Sequence, residues 1–119
     1  MTTYLLLILG DRQEWANASP AEQHRIEAGH KTFVATLGDA ILGGGEVAPA
    51  SAAVSLRSRA GDRPQIESGT FLEANEAVGG FYLIEATNRE ESVAWAALLP
   101  EAAADYSSGV EVREVIAPE

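Results

Sequence analysis

The sequence predicts an α+β domain of ferredoxin-like plan, an antiparallel sheet with two helices on one face, and three observations carry that prediction. Two nearly continuous apolar runs, residues 4–9 and 81–86, read as central strands. Two stretches that open on capping residues, Ser19 and Asn88, carry apolar side chains at helical spacing. Alternating segments between and after them read as further strands. The order is strand, helix, strands, central strand, helix, strand, which is a split β-α-β arrangement. With 119 residues and no repeat, linker or low-complexity tract, residues 1–119 form one domain.

Each element has a local reason. Residues 4–9 are apolar without alternation, so both faces of this strand need cover: helices on one side and a second subunit on the other. A helix is expected over 20–37. Ser19 caps it, Pro20 suits its first position and Glu22 completes a capping box. Ile26, Phe33 and Leu37 form its apolar stripe, His30 lies on the same stripe, and Gly38 ends it. A strand opens at Ile41-Leu42 and is interrupted by Gly43-Gly44-Gly45. Residues 53–59 alternate, with Val54 and Leu56 expected inward and Ser55 and Arg57 outward; Gly61-Asp62 turns the chain into a strand at 65–68. Residues 69–78 read as a loop carrying Glu73 and Glu76. Asn88 caps the second helix with Glu91 answering it; Val93, Ala96, Ala97 and Leu99 form its buried side and Pro100 ends it. Residues 110–115 alternate as a last strand.

Composition narrows the function. Eighteen acidic against eight basic residues give a net charge of −10, which repels phosphate backbones and anionic lipid, so neither nucleic acid nor a membrane surface is an expected partner. No cysteine is present, which excludes disulfides, thiolate catalysis and zinc–thiolate or iron–sulfur sites. The apolar start is too short for a membrane span and lacks the basic region of a signal peptide, so a cytoplasmic location is expected. His24 and His30 are six positions apart and share no helix face, so no metal site is expected, and no cofactor motif is recognised. Gly43-Gly44-Gly45 lacks the spacing of a phosphate loop.

The order of the elements resembles the YCII-related proteins. So do residues 4–11, Trp15, Gly29-His30-Lys31-Thr32-Phe33, the 42–46 segment, the 79–85 segment and 110–113, and the match is to the branch named for an Asp-Gly-Pro-Phe motif. The resemblance spans nearly the whole chain. It implies a ferredoxin-like subunit that pairs into a dimeric α/β barrel, with a histidine on the first helix and an aspartate facing a common cleft. It also implies a regulatory link in some members, which occur beside sigma factors of the extracytoplasmic-function type. The histidine corresponds to His30. Where the branch has Asp-Gly-Pro-Phe this chain reads Ser68-Gly69-Thr70-Phe71, so the carboxylate that would orient the imidazole is missing from the motif.

Two readings follow. In the first, a homodimer binds a small organic molecule in a cleft between the first helix and the sheet. His30 is then the polar anchor and acid–base group, Ser68 is a second candidate catalytic group, and Tyr82, Phe71 and Glu76 are ligand-binding residues. In the second, the protein is a non-catalytic interaction or regulatory module whose partner is another protein such as a sigma factor, and His30 is a core histidine satisfied by hydrogen bonds. The sequence leaves open whether the protein is an enzyme.

Overall fold

The chain builds β1 (Thr2–Asp11), α1 (Arg12–Ala16), α2 (Pro20–Leu37), β2 (Ile41–Glu46), β3 (Val54–Arg57), β4 (Gln65–Ser68), β5 (Glu76–Ala86), α3 (Arg89–Ala96) and β6 (Ser108–Glu114), with a 3-10 turn at Pro100–Ala103. This is a computed structural model, and it describes residues 1–104 and 108–117. Four strands form one antiparallel sheet in the order β2-β5-β1-β6, and β3 pairs with β4 in a separate two-stranded hairpin. Setting aside the hairpin and the short α1 leaves the β-α-β-β-α-β order of a ferredoxin-like sheet, as the sequence predicts.

Alternation along β1 divides the sheet into two faces. Tyr4, Leu6 and Ile8 point to the helices and are buried with Phe33 and Leu37 of α2, Ile84 and Ala86 of β5, Ala96 of α3, and Leu99. Leu5, Leu7 and Leu9 point the other way and stay half-buried, with Leu5 opposite Leu83 and Leu7 opposite Phe81. The domain is 18 Å across its thin dimension, one sheet plus one helix layer. The side of the sheet away from the helices thus carries these leucines with Phe81 and Leu83, flanked by Glu111 and Arg113 of β6 and only half-buried among the described residues. That is the feature the continuous run at 4–9 encodes.

The helix starts follow their caps. Ser19 Oγ accepts from the Glu22 amide at 3.2 Å, and α2 ends at Gly38 with φ +55°. Asn88 accepts from the Glu91 amide, and the Glu91 carboxylate reaches back to the Thr87 amide at 2.8 Å.

Several expectations are corrected. A short helix, α1, precedes the helix expected over 20–37: the Asp11 carboxylate accepts from the amides of Gln13 and Glu14 and caps it, which places Trp15 over Gly10 and Gly79. A Cβ on either glycine would lie within 2.8 Å of the indole, so the sheet is bare there because the ring needs the space. The triple glycine does not break β2, which continues to Glu46; a Cβ on Gly44 would lie 2.6 Å from the Phe81 carbonyl oxygen. β5 begins at Glu76, inside the stretch read as a loop. On α3, Val93 and Ala97 are exposed and Ser92 is fully buried in their place, its hydroxyl donating to the Arg89 carbonyl. The sense of the hairpin is also inverted. Val54 and Leu56 are exposed, and Ser55 is buried with its hydroxyl donating to the Gly69 carbonyl.

Candidate functional site

Three elements meet around His30. α2 carries the imidazole on the stripe that also buries Phe33. β5 presents Tyr82 on the helix side of the sheet, where its ring lies 4.8 Å from Phe33 and stacks against His30 at 5.8 Å between centroids. The 3-10 turn after α3 supplies Glu101, which is only 7% exposed. The turn comes this close because residue 29 has no side chain. A Cβ at Gly29 would lie 2.8 Å from Pro100 Cγ, so the residues preceding His30 and Glu101 are in contact. Pro100 thus opens the turn that delivers a carboxylate, besides following the helix as the sequence suggests.

The hydrogen bonds fix the roles. His30 Nε2 is 2.8 Å from Glu101 Oε2, and His30 Nδ1 is 2.7 Å from the Tyr82 hydroxyl. An ionised carboxylate can only accept, so Nε2–H donates to Glu101; in the neutral imidazole Nδ1 then accepts from the phenol O–H. Burial is the main cause that raises the Tyr82 pKa above its ordinary value of 10.0, with the nearby negative charge of Glu101 adding to it. The phenol is therefore a neutral donor at physiological pH. Glu101 Oε1 is buried and accepts no hydrogen bond from the described residues. A buried carboxylate with one oxygen unsatisfied costs folding free energy, and such groups concentrate where function requires them.

The sequence candidates fall into separate places. His30 and Tyr82 are in direct contact. Ser68 and Phe71 instead line a groove of about 700 Å³ at the base of the hairpin, with Arg12, Arg57, Glu67, Glu73 and neighbouring backbone. There the Arg57 guanidinium lies 4.2 Å from the centre of the Phe71 ring and donates to Glu67 Oε1 and to the Phe71 carbonyl. Glu76 is exposed at the start of β5, opposite Asp11. His24 is exposed on α2. The polar partners of His30 are thus Tyr82, which the sequence reading grouped with it, and Glu101, which it did not, while Ser68, also grouped with it, lies at the hairpin. The carboxylate that His30 does meet is Glu101, 71 positions along the chain. The one local signal was an acid directly after a helix-ending proline. Its partner was not readable, because the contact depends on Gly29 admitting Pro100.

Among the described residues no group of three metal-ligating side chains is brought together, and no helix is long and apolar enough to cross a membrane.

A ferredoxin-like sheet with a histidine held between a phenol and a buried carboxylate defines a small α+β domain with a polar site under its helix layer. The YCII-related domain model matches residues 14–117, and the chain belongs to that family. Among solved structures, 5-chloro-2-hydroxyhydroquinone dehydrochlorinase from Burkholderia phenoliruptrix, in complex with 2,5-dihydroxybenzoquinone, is similar at 21% identity. That match covers 92% of this chain and 90% of the other, with a TM-score of 0.44. A search of curated proteins found no match.

Proposed function

We propose that the protein is a homodimer that binds a small organic molecule and exchanges a proton with it through Tyr82, His30 and Glu101. The observation that carries this reading is the hydrogen-bonded chain from the phenol through the imidazole to a buried, half-satisfied carboxylate. Both ring nitrogens of His30 are occupied, so the group through which this chain would meet a ligand is the hydroxyl of the half-buried Tyr82. A proton leaving the ligand goes to that oxygen while the phenol proton passes to His30 Nδ1. The imidazolium formed is stabilised by Glu101, and the ligand keeps the electron pair as its anion. The reverse sequence protonates a bound anion. Molecules with a weakly acidic O–H or C–H, such as phenols and enolisable carbonyl compounds, suit this chemistry. The apolar sheet face of Leu5, Leu7, Leu9, Phe81 and Leu83 supports pairing of two subunits through their sheets.

The test is a thermal-shift screen of such compounds against the wild type, Tyr82→Phe and Glu101→Gln, with light scattering for assembly. The expected result is a compound that stabilises the wild type and loses most of its effect in both variants. Equal stabilisation of all three proteins would refute the site. A sigma factor or other protein bound equally by the wild type and by Tyr82→Phe would favour the interaction-module reading instead.

A further inference from the structure

The β3–β4 hairpin has two unequal faces. On one, Ser55 bonds to Gly69 and Arg57 bonds to Glu67 and Phe71, so its polar groups are satisfied within the chain. On the other lie Val54, Leu56 and Ile66, with Leu56 directly opposite Ile66 and Val54 opposite Ser68. These three apolar side chains are 64%, 60% and 72% exposed. An alternating antiparallel pair ordinarily turns its apolar face to a core. A two-stranded hairpin with no cover is marginal in water. This arm therefore presents the surface that a partner would bury.

Charge indicates the partner. Residues 54–68 carry Arg57, Arg59 and Arg63 against Asp62 and Glu67, in a chain whose net charge is −10, so nearly all of the acidity lies outside the arm. A net-basic arm is complementary to an acidic body, and the body of this same chain is acidic. A two-fold axis that pairs the two sheets also lets both arms be buried at once.

We infer that the β3–β4 arm clasps a second copy of this chain, burying Val54, Leu56 and Ile66 on its surface and carrying Ser68 with them into the subunit interface. The inference rests on the homodimer reading above and adds the part of the chain that makes the contact.

The chain contains no cysteine, so Leu56→Cys introduces a unique thiol on the arm. Its reaction with a water-soluble disulfide reagent is followed across protein dilution, with light scattering on the same samples and circular dichroism to verify folding. The expected result is a dimer whose thiol reacts about tenfold more slowly at high concentration than after dilution into monomer. A dimer whose thiol reacts as fast as a free thiol at every concentration overturns the arm contact and leaves the dimer standing. A monomer at all concentrations overturns both. A second variant, Leu56→Asp with Ile66→Asp, alters side chains already exposed in the single chain. It should weaken assembly at least about tenfold while leaving the fold intact. Unchanged assembly would also overturn the inference.

Discussion

Replacing His30 by alanine leaves two groups without their partner at once. Glu101, 7% exposed, loses the donor to Oε2 while Oε1 is already unsatisfied, and the Tyr82 hydroxyl loses its acceptor. A hydrogen bond to a charged group contributes about 1.5–3 kcal/mol, and a neutral one about 1 kcal/mol. The histidine side chain is 24% exposed, so water entering the vacated space satisfies part of this loss. Alanine also returns roughly 0.6 kcal/mol of helix propensity. The net expectation is a destabilisation of about 2 kcal/mol, read as a lowered denaturant midpoint at unchanged slope. The cycle is completed with Glu101→Gln. With the charge removed, losing His30 no longer strands a buried anion, so His30→Ala should cost about 1 kcal/mol less in that background. A single-variant cost below about 0.5 kcal/mol, or a coupling indistinguishable from zero, would refute the claim that the two residues form one buried unit.

Three other perturbations check separate parts of the argument. Gly29→Ala would gain about 1 kcal/mol in an open helix, but here its Cβ meets Pro100 at 2.8 Å. A net loss of roughly 1–2 kcal/mol in chemical denaturation is therefore expected, and a gain would show that the approach of the two elements is soft. Tyr82 has a folded pKa above 10.0, so the stability it contributes is fully present below pH 10.0 and is lost as pH rises through the folded pKa. The stability difference between wild type and Tyr82→Phe should accordingly be flat at neutral pH and shrink above about pH 10, and parallel pH curves would contradict the assigned burial. Asn88→Ala removes the acceptor for the Glu91 amide and should cost about 1 kcal/mol in thermal unfolding.

Local chemistry was legible in the residues. The caps at Ser19 and Asn88, the stop at Gly38 and the continuous run at 4–9 each act over a few positions, and each is seen where the sequence places it. The position of His30 on the α2 stripe, and the split of Phe81 and Tyr82 to opposite faces, follow from helix and strand periods alone. Periodicity on the hairpin set which residues share a face, with Val54 and Leu56 together and Ser55 and Arg57 together. It did not set which face the chain would cover, because a two-stranded arm has no core of its own.

Glu101 was missed for a related reason. Neither its burial nor its pairing is a property of residues 97–104. Both exist because α2 and the turn after α3 close on each other at a glycine and a proline 71 positions apart. The amino-acid sequence by itself determined the two longer helices, the strands, their order and the apolar runs of the central strands, since those depend on hydrophobic period and backbone preference within short windows. Only the tertiary structure decided that His30 is held between Tyr82 and Glu101, because a hydrogen bond needs its atoms within about 3 Å and only the folded packing brings them there.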